Sequence, residues 1–253
     1  MYSSTTGVST IRRVTDDTPD GVGASALSRP GLPAGAPPPV RRERLAALFR
    51  EARGCERCPQ LVAGRTQVVF GAGNANADVL FVAEAPGAKE DQAGAPLVGA
   101  TAKLLDELLE SIGLRRADVF VSTVLKCHPP GNRDPSPAEI ARCTPYLHEQ
   151  VALVEPRVVC TLGAFPTRLL RGDGAPLGAI HGRPELVTVG RRVVYLLPLF
   201  HPAAALYTRP LLDALREDVA RLPQLLDRPA PVQPTAEVAD DDVGPEAPQG
   251  GLF

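Results

Sequence analysis

Asp78-Val79-Leu80-Phe81-Val82-Ala83-Glu84-Ala85-Pro86-Gly87 is the stretch that decides the fold. An unbroken apolar run that ends at a Pro-Gly turn predicts a buried strand feeding a tight loop. Three further runs read the same way, at 119–125, 157–162 and 193–200. Helical patterns lie between them. Residues 42–53 place Leu45, Leu48 and Phe49 on one face, and residues 101–112 do the same with Leu104, Leu105, Leu108 and Leu109 before stopping at Gly113. Ser136-Pro137-Ala138-Glu139 is a helix start with a capping box, and a last helix is expected over 210–222. Apolar strands alternating with helices predict an α/β fold, a three-layer α/β/α sandwich on a central, mostly parallel four-stranded sheet.

In such sheets ligands bind beyond the carboxyl ends of the strands. Glu84-Ala85-Pro86-Gly87, Lys126-Cys127-His128-Pro129-Pro130 and His201-Pro202 all fall at those ends. The first segment carries two acids, Glu84 and Glu90, around a turn that exposes backbone N–H groups. A histidine at the end of the fourth strand can donate a hydrogen bond to charge developing on a substrate oxygen. His128 and His181 are loop residues without a clear partner, and His148 is expected on a helix surface.

The chain has 253 residues and a formal net charge of −2. Residues 1–40 and 229–253 are poor in core-forming residues and are expected to be disordered, leaving one domain over 41–228. The acidic tail leaves that middle mildly basic, which permits contact with a polyanion. Neither a basic segment followed by an apolar run at the N-terminus nor an apolar stretch of membrane-spanning length is present. A cytoplasmic, nucleoid-associated monomer without a membrane partner is therefore expected.

Cysteine usage points to a metal. Cys55-x2-Cys58 is followed after 68 residues by Cys127-x15-Cys143, a pattern by which a compact domain wraps four thiolates around a metal centre. A [4Fe–4S] cluster and a single Zn²⁺ both accept four thiolates. The fifth cysteine, Cys160, sits in a buried-strand pattern and is expected in the core.

Taken together, Val82-Ala83-Glu84-Ala85-Pro86-Gly87, Lys126-Cys127-x-Pro129-Pro130-x-Asn132-Arg133 and Phe200-His201-Pro202 resemble the three signatures of the family 4 uracil-DNA glycosylases. The four cysteines match the [4Fe–4S] ligands of that family in spacing and position, and the resemblance runs over residues 42–222. It implies hydrolysis of the N-glycosidic bond of uracil in single- or double-stranded DNA, after the nucleotide is flipped from the stack, to leave an abasic site. His201 would hydrogen-bond the base oxygen. Ala85, Pro86 and Gly87 would line the base, with Leu97 and Thr123. Glu84 or Glu90 would handle the attacking water; the two are not ranked by sequence. Asn132 and Arg133 would face DNA, Leu206 and Tyr207 would enter the duplex, and Arg209 would hold phosphate. Cys55, Cys58, Cys127 and Cys143 would ligate a structural cluster.

Two residues depart from the family pattern. Thr123 occupies the place of an asparagine, and Leu97 stands where an aromatic ring is usual. A glycosylase for another deaminated base, or a weak or inert iron–sulfur DNA-binding protein of the same fold, are the rival readings. The segment 131–136 lacks the basic insertion by which a related family traps uracil covalently, so no stable adduct is expected. The tail ends Gln249-Gly250-Gly251-Leu252-Phe253, which resembles the short peptide that docks bacterial repair proteins on the DNA sliding clamp through Gln249, Leu252 and Phe253.

Overall fold

The structure, a computed structural model, describes residues 38–234. The sheet has strands β1 (Ala72–Gly73), β2 (Val79–Ala83), β3 (Phe120–Thr123), β4 (Val158–Leu162), β5 (Glu185–Val189) and β6 (Arg192–Leu199). Ten helices accompany it: α1 (Pro38–Arg53), α2 (Pro59–Gly64), α3 (Ala88–Ala93), α4 (Gly99–Glu110), α5 (Pro137–Val154), α6 (Ala164–Arg171), α7 (Leu177–Ile180), α8 (Pro202–Ala205), α9 (Arg209–Val219) and α10 (Leu222–Leu226). No described helix is long and apolar enough to cross a membrane.

The strand order is β1-β3-β2-β4-β6-β5. The four expected strands are the central parallel set, β3-β2-β4-β6. The sheet is wider than the four-stranded expectation because both edges carry a short antiparallel strand. Each edge strand has a physical reason to escape a search for apolar runs. β1 is two residues long and half glycine. β5 is half-exposed and alternating, and joins β6 through a two-residue Gly190-Arg191 hairpin.

Both faces of the sheet are covered. Leu80, Val82, Val159, Val194 and Leu196 pack with Leu45 of α1, Leu147 and Val151 of α5 and Leu170 of α6. On the other side Phe81, Val121, Cys160 and Leu197 pack with Leu104, Leu105, Leu108 and Leu109 of α4 and Leu215 and Val219 of α9. Cys160 is fully buried in this second core, as expected. The α5 start is the capping box read from sequence: Glu139 N–H donates to Ser136 Oγ at 3.3 Å, and Ser136 N–H donates to the Glu139 carboxylate at 2.8 Å.

The folded unit runs past residue 228. Tyr195 Oη donates to the Pro229 carbonyl, and the Gln233 amide pairs with both backbone groups of Val193, accepting at 3.0 Å and donating at 2.8 Å. The side chain acts as a strand partner for the part of β6 that lies outside the β4 register, which starts at Tyr195. His148 also departs from expectation. It is half-buried, and its Cβ sits 2.9 Å from where a side chain on Gly190 would begin, so the hairpin turn rests directly on α5. Burial lowers its pKa.

Gly73 makes the β1 edge possible. Its φ is +136°, and a Cβ there would lie 2.1 Å from the Val119 carbonyl oxygen. Gly73→Ala is expected to destabilise the fold by about 1–3 kcal/mol or more in urea unfolding. Gly99→Ala, with a positive φ but open space around it, is expected to cost less, about 1 kcal/mol.

Candidate active site and cysteine centre

Three strand ends build the site. β2 ends at Ala83 and is followed by Glu84. The Ala83 and Glu84 carbonyls accept the N–H groups of Val124 and Leu125, at 2.9 and 3.0 Å, just beyond β3. This ties the Glu84 turn to Thr123. Ala85 and Gly87 are half-buried and Pro86 is buried. A side chain on Gly87 would begin 2.8 Å from Glu90 Oε2. Glycine there lets the Glu90 carboxylate close on the turn.

Glu90 lies on α3 and accepts the Val98 N–H at 3.1 Å. That bond holds a loop in which Leu97 adopts φ +53°, an uncommon conformation for a bulky residue, with its side chain buried. Glu84 has a different environment. Its side chain is half-buried and makes no hydrogen bond among the described residues. Burial raises its pKa, nearby Asp134 adds to the rise, and Arg168 opposes it.

His201 follows β6 and caps α8. Its Nδ1 accepts the Ala203 N–H at 3.1 Å. A backbone donor at Nδ1 fixes the neutral tautomer with its proton on Nε2. Burial lowers the His201 pKa, against a smaller upward pull from Glu90, so the imidazole is held neutral. Gly163, at the end of β4, passes His201 Cβ closely, and its N–H donates to the Leu199 carbonyl. Behind the strand end, His181 stacks on Phe200 with ring centroids 4.5 Å apart and bonds Asp218 of α9 at 2.7 Å. Burial raises the pKa of Asp218, opposed by His181 and Arg221. The sequence reading left His181 without a partner because Asp218 is 37 residues away.

Thr123 is buried at the end of β3, paired with Ala83. Its hydroxyl donates to the Leu125 carbonyl at 2.5 Å. Asn132 approaches the Gly87 turn, and its Oδ1 pairs with His128 Nε2 at 2.9 Å, which supplies the partner that His128 lacked. Arg133 is exposed and has a partner within the chain. Its guanidinium grips the Glu139 carboxylate with two bonds, at 2.6 and 2.8 Å. Beyond α8, Leu206 and Tyr207 project into solvent, Tyr207 almost fully. Arg209 pairs with Asp213 on the exposed face of α9. Gln249, Leu252 and Phe253 lie outside the described residues.

The four cysteines converge. Cys55 follows α1, Cys58 caps α2, Cys127 follows β3 and Cys143 lies on α5; all four line one cavity, with Leu61, Val68 and Tyr146, and no carboxylate among its lining. Two N–H groups aim at sulfur: Arg65 at Cys127 Sγ, 3.1 Å, and the Lys126 backbone at Cys143 Sγ, 3.2 Å. Arg57 and Arg142 clasp each other's carbonyls across the cavity mouth, at 3.1 and 3.0 Å, and Arg57 lies 4.3 Å from the Tyr146 ring centroid. Among the described residues no group of three or more His, Cys, Asp or Glu side chains is arranged to hold a single metal ion.

Comparison with known proteins agrees with this geometry. Residues 70–222 match the Uracil DNA glycosylase superfamily. A type-4 uracil-DNA glycosylase of Archaeoglobus fulgidus is 38% identical over 193 residues, covering 75% of this chain and 96% of that protein. The type-4 enzyme of Saccharolobus solfataricus is 37% identical over 73% of this chain and 87% of its own length. A type-5 uracil-DNA glycosylase of Pyrobaculum aerophilum is 32% identical over 59% of this chain and 78% of its own length. The chain belongs to the uracil DNA glycosylase superfamily.

The Arg133–Glu139 pair gives a pH signature. Two Arg133 hydrogen bonds hold the Glu139 carboxyl down to about 2, aided by the Ser136 N–H. A carboxyl depressed on folding stabilises the fold fully above its unfolded pKa, near 4.5, and loses that contribution as pH falls through its folded value. Wild type is therefore expected to exceed Glu139→Gln in urea stability at pH 7, with the margin shrinking below pH 4.5 and vanishing near pH 2.

Proposed function

We propose that this protein is a DNA repair glycosylase that hydrolyses the N-glycosidic bond of uracil in DNA, leaving an abasic site. The observation that carries the reading is the placement of Glu84 and His201 at the carboxyl ends of β2 and β6, which flank β4: an unbonded carboxylate and a neutral imidazole with its proton fixed on Nε2. Excision needs both. As the bond from C1′ to the base breaks, its electron pair passes to the base, and His201 Nε2–H donates to the base oxygen where that charge gathers. Water then adds to C1′ and gives its proton to Glu84. The Glu84 carboxylate is unbonded and burial raises its pKa, whereas Glu90 is committed to the Val98 N–H, so Glu84 takes the water and Glu90 braces the Leu97 loop.

The Thr123 hydroxyl spends its proton on Leu125. Toward a flipped base it presents a lone pair, which can accept N3–H of uracil and finds no donor at N3 of neutral cytosine. It cannot also donate to O4. We infer weaker discrimination than an amide would give, and expect Thr123→Asn to raise the excision rate. Leu206 and Tyr207 would fill the vacated stack. Arg168, exposed beside Glu84 and in no ion pair among the described residues, is assigned to the adjacent phosphate.

A [4Fe–4S] cluster at Cys55, Cys58, Cys127 and Cys143 is part of this reading. A zinc ion bound at about 2.3 Å needs its sulfurs only about 4 Å apart, whereas a cluster needs them spread around one cavity. Four thiols in a lining that holds no carboxylate and no histidine favour a soft metal centre. When bound, the cluster crosslinks α1, α5 and the segment after β3. Brown protein with broad visible absorbance, lost in Cys143→Ser, is the expected result; colourless, zinc-loaded protein would count against it. We also propose that the tail reaches the sliding clamp through Gln249, Leu252 and Phe253, which titration of a tail peptide against clamp protein would test.

The deciding experiment is single-turnover cleavage of oligonucleotides carrying uracil, hypoxanthine or xanthine. Uracil excision is expected, reduced at least about a hundredfold in His201→Ala and in Glu84→Gln. Glu84 must be ionised and His201 neutral. With the Glu84 pKa raised from its ordinary value and that of His201 lowered from its own, the rate should fall toward acid pH as the Glu84 carboxylate takes a proton. Excision of hypoxanthine or xanthine alone would move the protein to another deaminated base. Excision of none by folded protein would leave the DNA-binding reading.

A further inference from the structure

Lys126 is 2% exposed, and its ammonium donates three hydrogen bonds: to Ser122 Oγ at 2.6 Å, the Thr123 carbonyl at 2.6 Å and Gln150 Oε1 at 2.7 Å. These use all three of its N–H groups. None of the acceptors is charged, and no carboxylate pairs with Lys126 among the described residues. A buried ammonium in a neutral cage is costly unless a countercharge stands near. The groups that can supply one are the cysteines. The Lys126 N–H donates to Cys143 Sγ, and Cys127 is the next residue.

The other end of the network reaches the proposed excision site. The Thr123 carbonyl that Lys126 holds belongs to the last residue of β3. The Thr123 hydroxyl donates to the Leu125 carbonyl, and the Leu125 N–H donates to the Glu84 carbonyl. On the far side Gln150 donates to the Phe70 carbonyl at 2.7 Å, which fixes its amide so that the oxygen faces the ammonium. A short path thus runs from Cys143 through Lys126, Thr123 and Leu125 to the main-chain carbonyl of Glu84, with Lys126 as its one charged side chain.

We propose that Lys126 is a positioning residue that takes its countercharge from the cysteine-held centre and fixes the end of β3 beside Glu84, so that filling the centre sets the geometry of the excision site. The proposal rests on the function assigned above to Glu84 and to the four cysteines. It gives a cluster that takes no part in electron transfer a hold on the reaction through structure alone.

Lys126→Met keeps the length and the apolar stem while removing the charge and the donors. Single-turnover excision of a uracil oligonucleotide by the loaded variant is expected to slow about tenfold, with DNA affinity changed less than about threefold, and the visible absorbance of the centre is expected to bleach about tenfold faster under a chelator. A wild-type value of either the rate constant or the bleaching rate overturns the proposal. Gln150→Glu decides the matter even where Lys126→Met fails to fold. It sets a carboxylate where Gln150 Oε1 now stands, 2.7 Å from the ammonium, and so offers a countercharge independent of the centre. Its lost bond to Phe70 weakens loaded and stripped protein alike, so the difference in Tm between those two forms isolates the charge effect. A smaller difference than in wild type is expected, and an equal one overturns the proposal. Should wild type excise no uracil, the assigned function fails while the bleaching and melting arms still decide whether Lys126 depends on the centre.

Discussion

Two backbone hydrogen bonds, from Val124 and Leu125 to the carbonyls of Ala83 and Glu84, are the constraint on which the rest of the site depends. Parallel strands end in register and then diverge, and the groups left at their ends must find partners or water. Here β2 and β3 satisfy each other for two residues beyond the sheet before the chains part. The first continues into the Pro-Gly turn, the second into Lys126 and Cys127. One carbonyl therefore sits between a carboxylate with an unbonded side chain and a segment that carries one sulfur-facing N–H, of Lys126, and one sulfur, of Cys127. β6 contributes independently. It ends beside Gly163, whose φ of +99° suits glycine, and the Ala203 N–H then decides which imidazole nitrogen of His201 keeps its proton.

How much of this could be read in the sequence follows from burial. The four central strands were legible because each is apolar without interruption, the mark of a strand covered on both faces. β5 was not, since it alternates and its Gly190-Arg191 hairpin is a weak turn signal; two-residue β1 offers no pattern at all. Glu84 and His201 were legible because strand ends are where an α/β sheet puts its chemistry. The proposed ranking of Glu84 over Glu90 was not, because it turns on one hydrogen bond from Val98. Arg133, read as a DNA contact by position, is exposed and also pairs with Glu139; the capping box announced Glu139 but not this second partner of its carboxylate. Lys126 looked like part of a motif, and nothing in its neighbours along the chain announces the amide of Gln150, 24 residues away, or the burial that makes that amide matter.

The charged groups of the domain sort by one rule. A charge that folding desolvates must be answered, and the answer fixes what the group can still do. Glu139 and Glu84 are the same chemical group, one in the first turn of α5 and the other just past the end of β2. Glu139 receives a bidentate arginine and a backbone N–H, which hold its carboxyl at about 2. So weak a base cannot take a proton from water at an appreciable rate, and its role is to fasten α5. Glu84 loses water without gaining a donor, and Asp134 stands near, so its proton affinity rises. In the proposed reaction, the stability forgone at Glu84 is what would make it a competent base. His201 completes the contrast from the other side. Its one internal hydrogen bond is accepted at Nδ1 rather than donated, which keeps the ring neutral and leaves Nε2–H, the group suited to a nascent anion, without an internal partner among the described residues. The site is reactive where the fold has left a buried polar group unanswered, and inert where it has not.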